Sequence, residues 1–209
     1  MMADPAVEPG LTAVAALDGD LADVLQRHGP PPPRTRPPGF ATLLNIVVQQ
    51  QVSLASARAI WGRLEAGLDS VEPARVLDFG IEDLRAMGLS LPKARYAIAL
   101  AEAVASGELD FDGLAGHDDE AAIAALTRVK GIGRWTAEIY LLSALQRPDV
   151  WPAADLALMV AAQDLKGLPK RPDAAEMAEL AARWQPWRTF AARLLWHHYR
   201  HARGRDTAL

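Results

Sequence analysis

The sequence predicts an all-α protein. Three observations carry that expectation. Apolar residues recur at helical spacing in one segment after another, and no segment sustains a period-two alternation bounded by turn signals. Glycine, proline and aspartate fall at the ends of the periodic runs, where helices start and stop.

The elements follow in order. Leu11, Val14, Leu17, Leu21, Val24 and Leu25 place a helix over residues 11–28. Residues 29–39, GPPPPRTRPPG, hold six of the fifteen prolines. Proline fixes φ and removes a donor, so this stretch is an extended connector, with Phe40 and the apolar run behind it strapping it across a core. Residues 40–66 are helical with a break near Gln51–Ser53. Residues 73–87 carry one or two short helices ending at Gly88, and residues 91–106 carry another, with Pro92 in its first turn. Further helices cover 118–129, opened by Asp118 or Asp119, and 134–146, ending before Pro148. The last three cover 155–165, opened by Asp155, then 173–183 and 186–202. Residues 1–39 read as a helix and connector packed on a core formed by 40–209, in one structural unit overall.

Composition narrows the function. Half of the 209 residues are apolar and 23% are charged, as in globular proteins. No apolar run is long enough for a membrane span, and MMADPAVEPG lacks the basic start and apolar stretch of a secretion signal. An intracellular, cytoplasmic protein without membrane contact is expected. Cysteine is absent, which excludes disulfides, thiol catalysis and cysteine-bound clusters. The net charge of −4 argues mildly against a nucleic-acid partner, but its distribution matters more than its sum. From Arg183 to Leu209 there are six arginines and three histidines against the single acid Asp206, and Arg128, Lys130 and Arg134 cluster together. A basic face on an acidic protein is therefore expected, with a solvated, frayed helix as the plainer reading of the C-terminal stretch. His197, His198 and His201 share one helical stretch, and no carboxylate pattern makes them a metal site.

Residues 129–142 read VKGIGRWTAEIYLL. Gly131 and Gly133 let the chain turn tightly between two helices, and Ile132 plugs the space between them. The second helix starts just after Gly133, so its unpaired N–H groups make a ready phosphate site flanked by Lys130 and Arg134. Such a turn grips a backbone without reading bases. A plain helix–helix turn with glycine caps is the structural alternative. Asp155, opening LALMVAAQDL, is by itself a favoured helix N-cap, and a carboxylate at a helix N-terminus stays ionised.

The stretch LTRVKGIGRWTAEIYLL resembles the helix–hairpin–helix of the DNA glycosylase superfamily of that name (HhH-GPD), most closely its 3-methyladenine glycosylase II branch. Three more stretches resemble the same branch in the same order: NIVVQQQVSLASA at 45–57, GLSLPKARYAIALAEA at 88–103 and WPAADLAL at 151–158. The resemblance runs from about residue 20 to about residue 200. It implies two helical lobes flanking a DNA-binding groove. With about forty residues ahead of the core, the β-rich N-terminal lobe of some relatives is not expected.

The resemblance also implies roles. Asp155 is the catalytic carboxylate, stabilising an oxocarbenium-like sugar as the base leaves and orienting or activating water. The nucleotide must be flipped out of the duplex to reach it. Gly131, Ile132, Gly133, Arg134 and Thr136, with Lys130, hold DNA, and Gln51 is the wedge pushed into the vacated stack. Trp135 and Trp196, with Tyr140 and Trp61, are the candidate rings for the extruded base, since a cationic purine gains from π faces. Glu138 and Asp164 read as solvent-facing acids. Hairpin carbonyls of Thr127, Val129 and Ile132 are the implied ligands of a monovalent cation, Na+ or K+. No other cofactor is expected, and the absence of cysteine excludes the iron–sulfur branch. Relatives that also cut the strand carry a lysine where this chain has Trp135, so a monofunctional glycosylase is expected.

This chain departs from common patterns at Lys130, where proline is frequent, at Gln49, where glycine is usual, and at Ile139, where some relatives have a pocket tyrosine. The expected activity is excision of alkylated purines from double-stranded DNA by a monomer. The lesions are 3-methyladenine first, with 7-methylguanine, 1-methyladenine, ethenoadenine or hypoxanthine as others. The main alternative is a non-catalytic protein of the same fold that binds damaged or distorted DNA.

Overall fold

The computed structural model describes residues 8–203. Among them every regular element is helical. In chain order these are α1 (Pro9–Leu17), α2 (Gly19–His28), α3 (Phe40–Gln49), α4 (Leu54–Leu68), α5 (Pro73–Leu77), α6 (Ile81–Ala86) and α7 (Leu91–Ala105). There follow α8 (Phe111–Leu114), α9 (Asp119–Thr127), α10 (Arg134–Ser143), α11 (Leu156–Leu165), α12 (Ala174–Ala181), a 3-10 turn (Ala182–Trp184) and α13 (Arg188–Ala202). Arg205 and Asp206 of the basic C-terminal stretch, like the start of the chain, lie outside the described residues.

The caps explain most boundaries. Ser53 opens α4, Ser90 opens α7, Asp118 opens α9 and Asp173 opens α12, each side chain accepting a first-turn N–H. The single helix expected over 11–28 is two. Asp18 breaks it with extended backbone (φ −149°), and its carboxylate accepts the N–H groups of Asp20 and Leu21 to start α2. The pattern at 73–87 resolves into α5 and α6, separated at Gly80. The one-turn α8 has no periodic signal in so few residues; Asp110 caps it.

The chain divides into two compact units. One comprises the described residues up to Arg34 together with those from Gln146 onward; the other is Thr35–Leu145. The division falls inside the proline segment.

In the first unit α13 packs on α1, α2 and α11. Leu11, Val14, Leu21, Val24, Leu158, Met177, Trp184 and Leu195 form its core. Charges inside it are paired. Lys166 Nζ lies 2.6 and 2.7 Å from the two oxygens of Asp18 and 2.7 Å from Asp20, and Trp184 Nε1 donates to Asp18 at 2.9 Å. Burial alone would raise the Asp18 carboxyl, but these donors hold it below its ordinary value. Arg193 grips both oxygens of Glu8 at 2.7 Å, and Arg188 grips both of Asp149.

In the second unit α3 packs against α4, α7 and α10; α5 and α6 pack on α7, and α9 on α10. Leu43, Leu44, Ile46, Leu64, Leu100, Leu126, Tyr140 and Leu141 fill its core. The end of the proline segment is pinned here. Arg36 N donates to the Ser143 carbonyl at 2.9 Å, and Gly39 N donates to the Tyr140 hydroxyl at 2.7 Å.

Candidate active site and nucleic-acid interface

In the second unit, α9 ends at Thr127, and the chain turns through Val129–Gly133 into α10, with Ile132 N donating to the Val129 carbonyl at 3.0 Å. The two glycines serve different ends. Gly131 sits at φ +94°, and a Cβ there would lie 2.2 Å from Tyr96 Cγ, so both backbone and space demand glycine. Gly133 is exposed with an ordinary φ of −88°, and a Cβ there would meet nothing within 4 Å. The unit's own packing therefore does not require glycine there. It is also the N-cap of α10 and offers no side-chain cap to the first turn.

Ile132 is buried as the plug that the sequence implied, and Lys130 is exposed. Arg134 differs from the expectation of a free flanking charge. Its guanidinium pairs with Glu120 (2.5 and 3.0 Å) and with Glu138 (2.9 Å), which raise it above its ordinary value. Glu138, expected to face solvent, is buried, and one of its oxygens accepts from Arg134 one turn earlier. Arg134 therefore brings its main-chain N–H to the helix start more than its charge. Thr136 is buried, and its hydroxyl accepts from Gln50 Nε2 at 2.8 Å. Thr127 Oγ1 donates to the Ile123 carbonyl, leaving its own carbonyl at the negative end of α9.

Gln51 lies in the short break between α3 and α4. It is exposed and left-handed at φ +54°. Residues the sequence reading passed over hold it there. Lys93 Nζ donates to the carbonyls of Val48 (2.8 Å) and Gln50 (2.7 Å), and burial holds its ammonium below the ordinary value. The only sequence signal was Lys93's place in the GLSLPKAR stretch.

The candidate rings have separate surroundings. Trp135, on α10, is half-buried. Tyr140 is fully enclosed against Phe111, with its ionisation pushed up to about 12 by burial, so its observed work is to hold Gly39. Trp61 is half-buried on α4 and donates to Glu65 one turn on.

Trp196 belongs to the first unit, with Asp155. Asp155 is 9% exposed and caps α11. Its Oδ1 accepts from Leu158 N at 2.9 Å and from Trp196 Nε1 at 3.1 Å. A main-chain amide and an indole N–H thus fix the orientation of one carboxylate oxygen. Trp196 is itself 6% exposed, with the Arg34 guanidinium 3.9 Å over its ring. Arg34, on the proline segment, is another residue the sequence reading missed. Asp164 carries His198 at 2.6 Å, while His28 stacks on His201 at 4.2 Å, with His197 edge-on. Among the described residues no helix is long and apolar enough to cross a membrane.

The described residues thus hold a glycine hairpin at the start of α10 and, in the other unit, a buried, oriented carboxylate at the start of α11, the two features that the resemblance to helix–hairpin–helix proteins implied. Residues 44–186 match the family model described as HhH-GPD superfamily base excision DNA repair protein. The chain belongs to that superfamily and is a DNA glycosylase of base excision repair. It is 34% identical over 161 residues to DNA-3-methyladenine glycosylase 1 of Schizosaccharomyces pombe, covering 75% of this chain and 71% of that protein. Among solved structures, the Schizosaccharomyces pombe 3-methyladenine DNA glycosylase in complex with abasic DNA superposes with a TM-score of 0.85 at 28% identity. That match covers 97% of this chain and all of that one. A DNA-3-methyladenine glycosidase from Bacillus halodurans gives 0.78 at 31% identity, over 95% and 93% of the two chains. The chain spans 58% and 56% of the length of two Bacillus subtilis relatives.

Proposed function

We propose that this protein is a monofunctional glycosylase that hydrolyses the N-glycosidic bond of alkylated purines in double-stranded DNA, acting as a monomer. The observation that carries the reading is Asp155: a buried carboxylate whose Oδ1 is fixed by a helix amide and the Trp196 indole. Fixed in this way, it is preorganised to stabilise an oxocarbenium-like sugar without reorganisation. Bases such as 3-methyladenine are cationic in DNA and leave readily, so a single carboxylate suffices. The names of the relatives support this substrate class. The amides at the start of α10 and Gly131 take backbone phosphates, Gln51 enters the stack, and Trp196, which donates to Asp155, is the candidate ring for the extruded base.

The lysines favour hydrolysis alone. Lys93 is committed to carbonyls, Lys166 to Asp18 and Asp20, and Lys170 to Glu176. The remaining one, Lys130, sits in the hairpin turn itself. The carbonyls of Thr127, Val129 and Ile132 would be the ligands of a monovalent cation; Thr127 closes α9, and one lone pair of the Val129 oxygen already takes the Ile132 N–H.

The test is release of free base from methylated duplex DNA. Wild type is expected to release 3-methyladenine and to leave no covalent adduct on borohydride reduction. Asp155→Asn is expected to lose at least about 100-fold in rate while binding duplex DNA with the same salt dependence. Equal rates in wild type and Asp155→Asn would remove the proposed mechanism. Binding without release by either protein would favour the non-catalytic reading.

A further inference from the structure

Within the second unit, two segments separated by about eighty residues of chain are tied by one side chain. Gln50 Nε2 donates to the Gly131 carbonyl at 3.3 Å and to the Thr136 hydroxyl at 2.8 Å, so it spans the hairpin turn and the first turn of α10. The carbonyl of the same residue accepts from Lys93 Nζ at 2.7 Å, and Lys93 also takes the Val48 carbonyl at 2.8 Å. Val48 and Gln50 lie at the C-terminal end of α3, where helix carbonyls lose their own partners. The next residue is Gln51, exposed and left-handed. A left-handed glutamine is a costly conformation and persists only where neighbours over-determine it. Lys93 and Gln50 are the neighbours that do so: one locks the last carbonyls of α3, and the other fixes the side of the loop that faces the hairpin. The ammonium is also an unusual choice for two carbonyls. Burial holds the ammonium below its ordinary value, and its two acceptors lie at the negative end of a helix.

We infer that Lys93 and Gln50 are positioning residues which couple the phosphate-gripping hairpin to the Gln51 loop, so that gripping the backbone and entering the base stack occur in one fixed register. This rests on the proposed glycosylase reading and on Gln51 as the wedge. A wedge matters in proportion to the cost of opening the stack, so the coupling is needed for a paired lesion and hardly at all for one that is already unstacked.

The experiment uses the full chain and one lesion, hypoxanthine, placed either in a fully paired duplex or in a single-nucleotide bulge. Single-turnover release is measured for wild type, Lys93→Met, Gln50→Leu and Lys93→Arg. Lys93→Met and Gln50→Leu are expected to lose about 100-fold on the paired lesion, the scale of a small misplacement. On the bulged lesion the same variants are expected to lose less than about threefold. Lys93→Arg keeps a charged donor and is expected to recover most of the paired rate. Equal losses on both substrates would mean a general structural defect and would overturn the coupling, as would no loss on the paired one. If wild type releases hypoxanthine from neither substrate, the same comparison is made with 3-methyladenine in methylated duplex and heat-denatured DNA. Failure of wild type there as well overturns the glycosylase reading itself.

Discussion

The two units are braced by different means. In the unit that carries Asp155, order comes from side-chain charges: Lys166 between Asp18 and Asp20, Arg193 on Glu8, Arg188 on Asp149. In the unit that carries the hairpin, key polar contacts reach main-chain atoms: Lys93 to two carbonyls, Gln50 to a third, and the Tyr140 hydroxyl taking the Gly39 N–H. The first unit should therefore be sensitive to loss of charge and to acid, and the second to steric change and to loss of single hydrogen bonds.

The largest effect is expected at the buried charge cluster. Lys166→Met leaves the Asp18 carboxylate, 7% exposed, with only the Trp184 indole and α2 amides. An uncompensated buried charge costs about 3–5 kcal/mol, so the urea midpoint should fall steeply. Asp18 also sets the sign of the acid response. Its folded value lies below the ordinary 3.8, so its contribution is complete above that pH and is lost as pH falls through the lowered value. Lys166→Met should flatten this acid loss. A midpoint unchanged by the substitution would break the contrast drawn between the units.

In the hairpin unit the next effect is steric. Gly131→Ala forces a side chain into φ +94° and against the Tyr96 ring, at a cost of about 2–3 kcal/mol. Gly133→Ala meets nothing and should change stability by less than about 1 kcal/mol. Its effect should appear in duplex affinity, because the methyl stands where a phosphate would approach the α10 amides. Thermal melts and binding titrations on the two variants separate the two uses of glycine. Equal losses of stability would show that both glycines serve packing alone.

That distinction marks what could be read from the sequence and what could not. The helices were legible because their apolar residues repeat at 3.6 and their ends carry Asp, Ser, Pro and Gly. The hairpin and Asp155 were legible because turn chemistry and N-capping are local and use few residue types. The break at Asp18 was hidden because the apolar spacing of residues 11–25 runs on through it, and the further partners of its carboxylate, Lys166 and Trp184, lie far along the chain. Lys93, Gln50 and Arg34 were hidden for the same reason: each acts on a main-chain atom or ring distant in sequence. The burial of Glu138 was hidden because spacing alone does not reveal whether the face shared with Arg134 is covered.

A single hydrogen bond gives a smaller effect. Tyr140→Phe keeps the ring against Phe111 but leaves the Gly39 N–H without the hydroxyl, at a cost of about 1–2 kcal/mol. The phenol's folded value is about 12 against an ordinary 10, so its contribution is intact below pH 10 and is lost as pH rises from there through about 12. Melts between pH 9 and 12 should show wild type losing more stability than Tyr140→Phe. Parallel alkaline curves would mean that the hydroxyl contributes nothing.

The smallest effect on stability should come from Arg34→Ala, and it bears on chemistry. The guanidinium lies 3.9 Å over Trp196, whose indole N–H is committed to Asp155. A cation on an aromatic face contributes about 0.5–2 kcal/mol, the lower end where water reaches the group, and Arg34 is only half-buried. The melting temperature should therefore barely move. The positive charge of Arg34 opposes a cationic base seeking the same ring more than it opposes a neutral one. If the extruded base uses Trp196, Arg34→Ala should raise release of 7-methylguanine relative to hypoxanthine by several-fold, the range of one such interaction. Both rates would be measured on duplexes under single-turnover conditions. An unchanged ratio would show that the base does not reach this face, and that Trp196 serves Asp155 through its N–H alone.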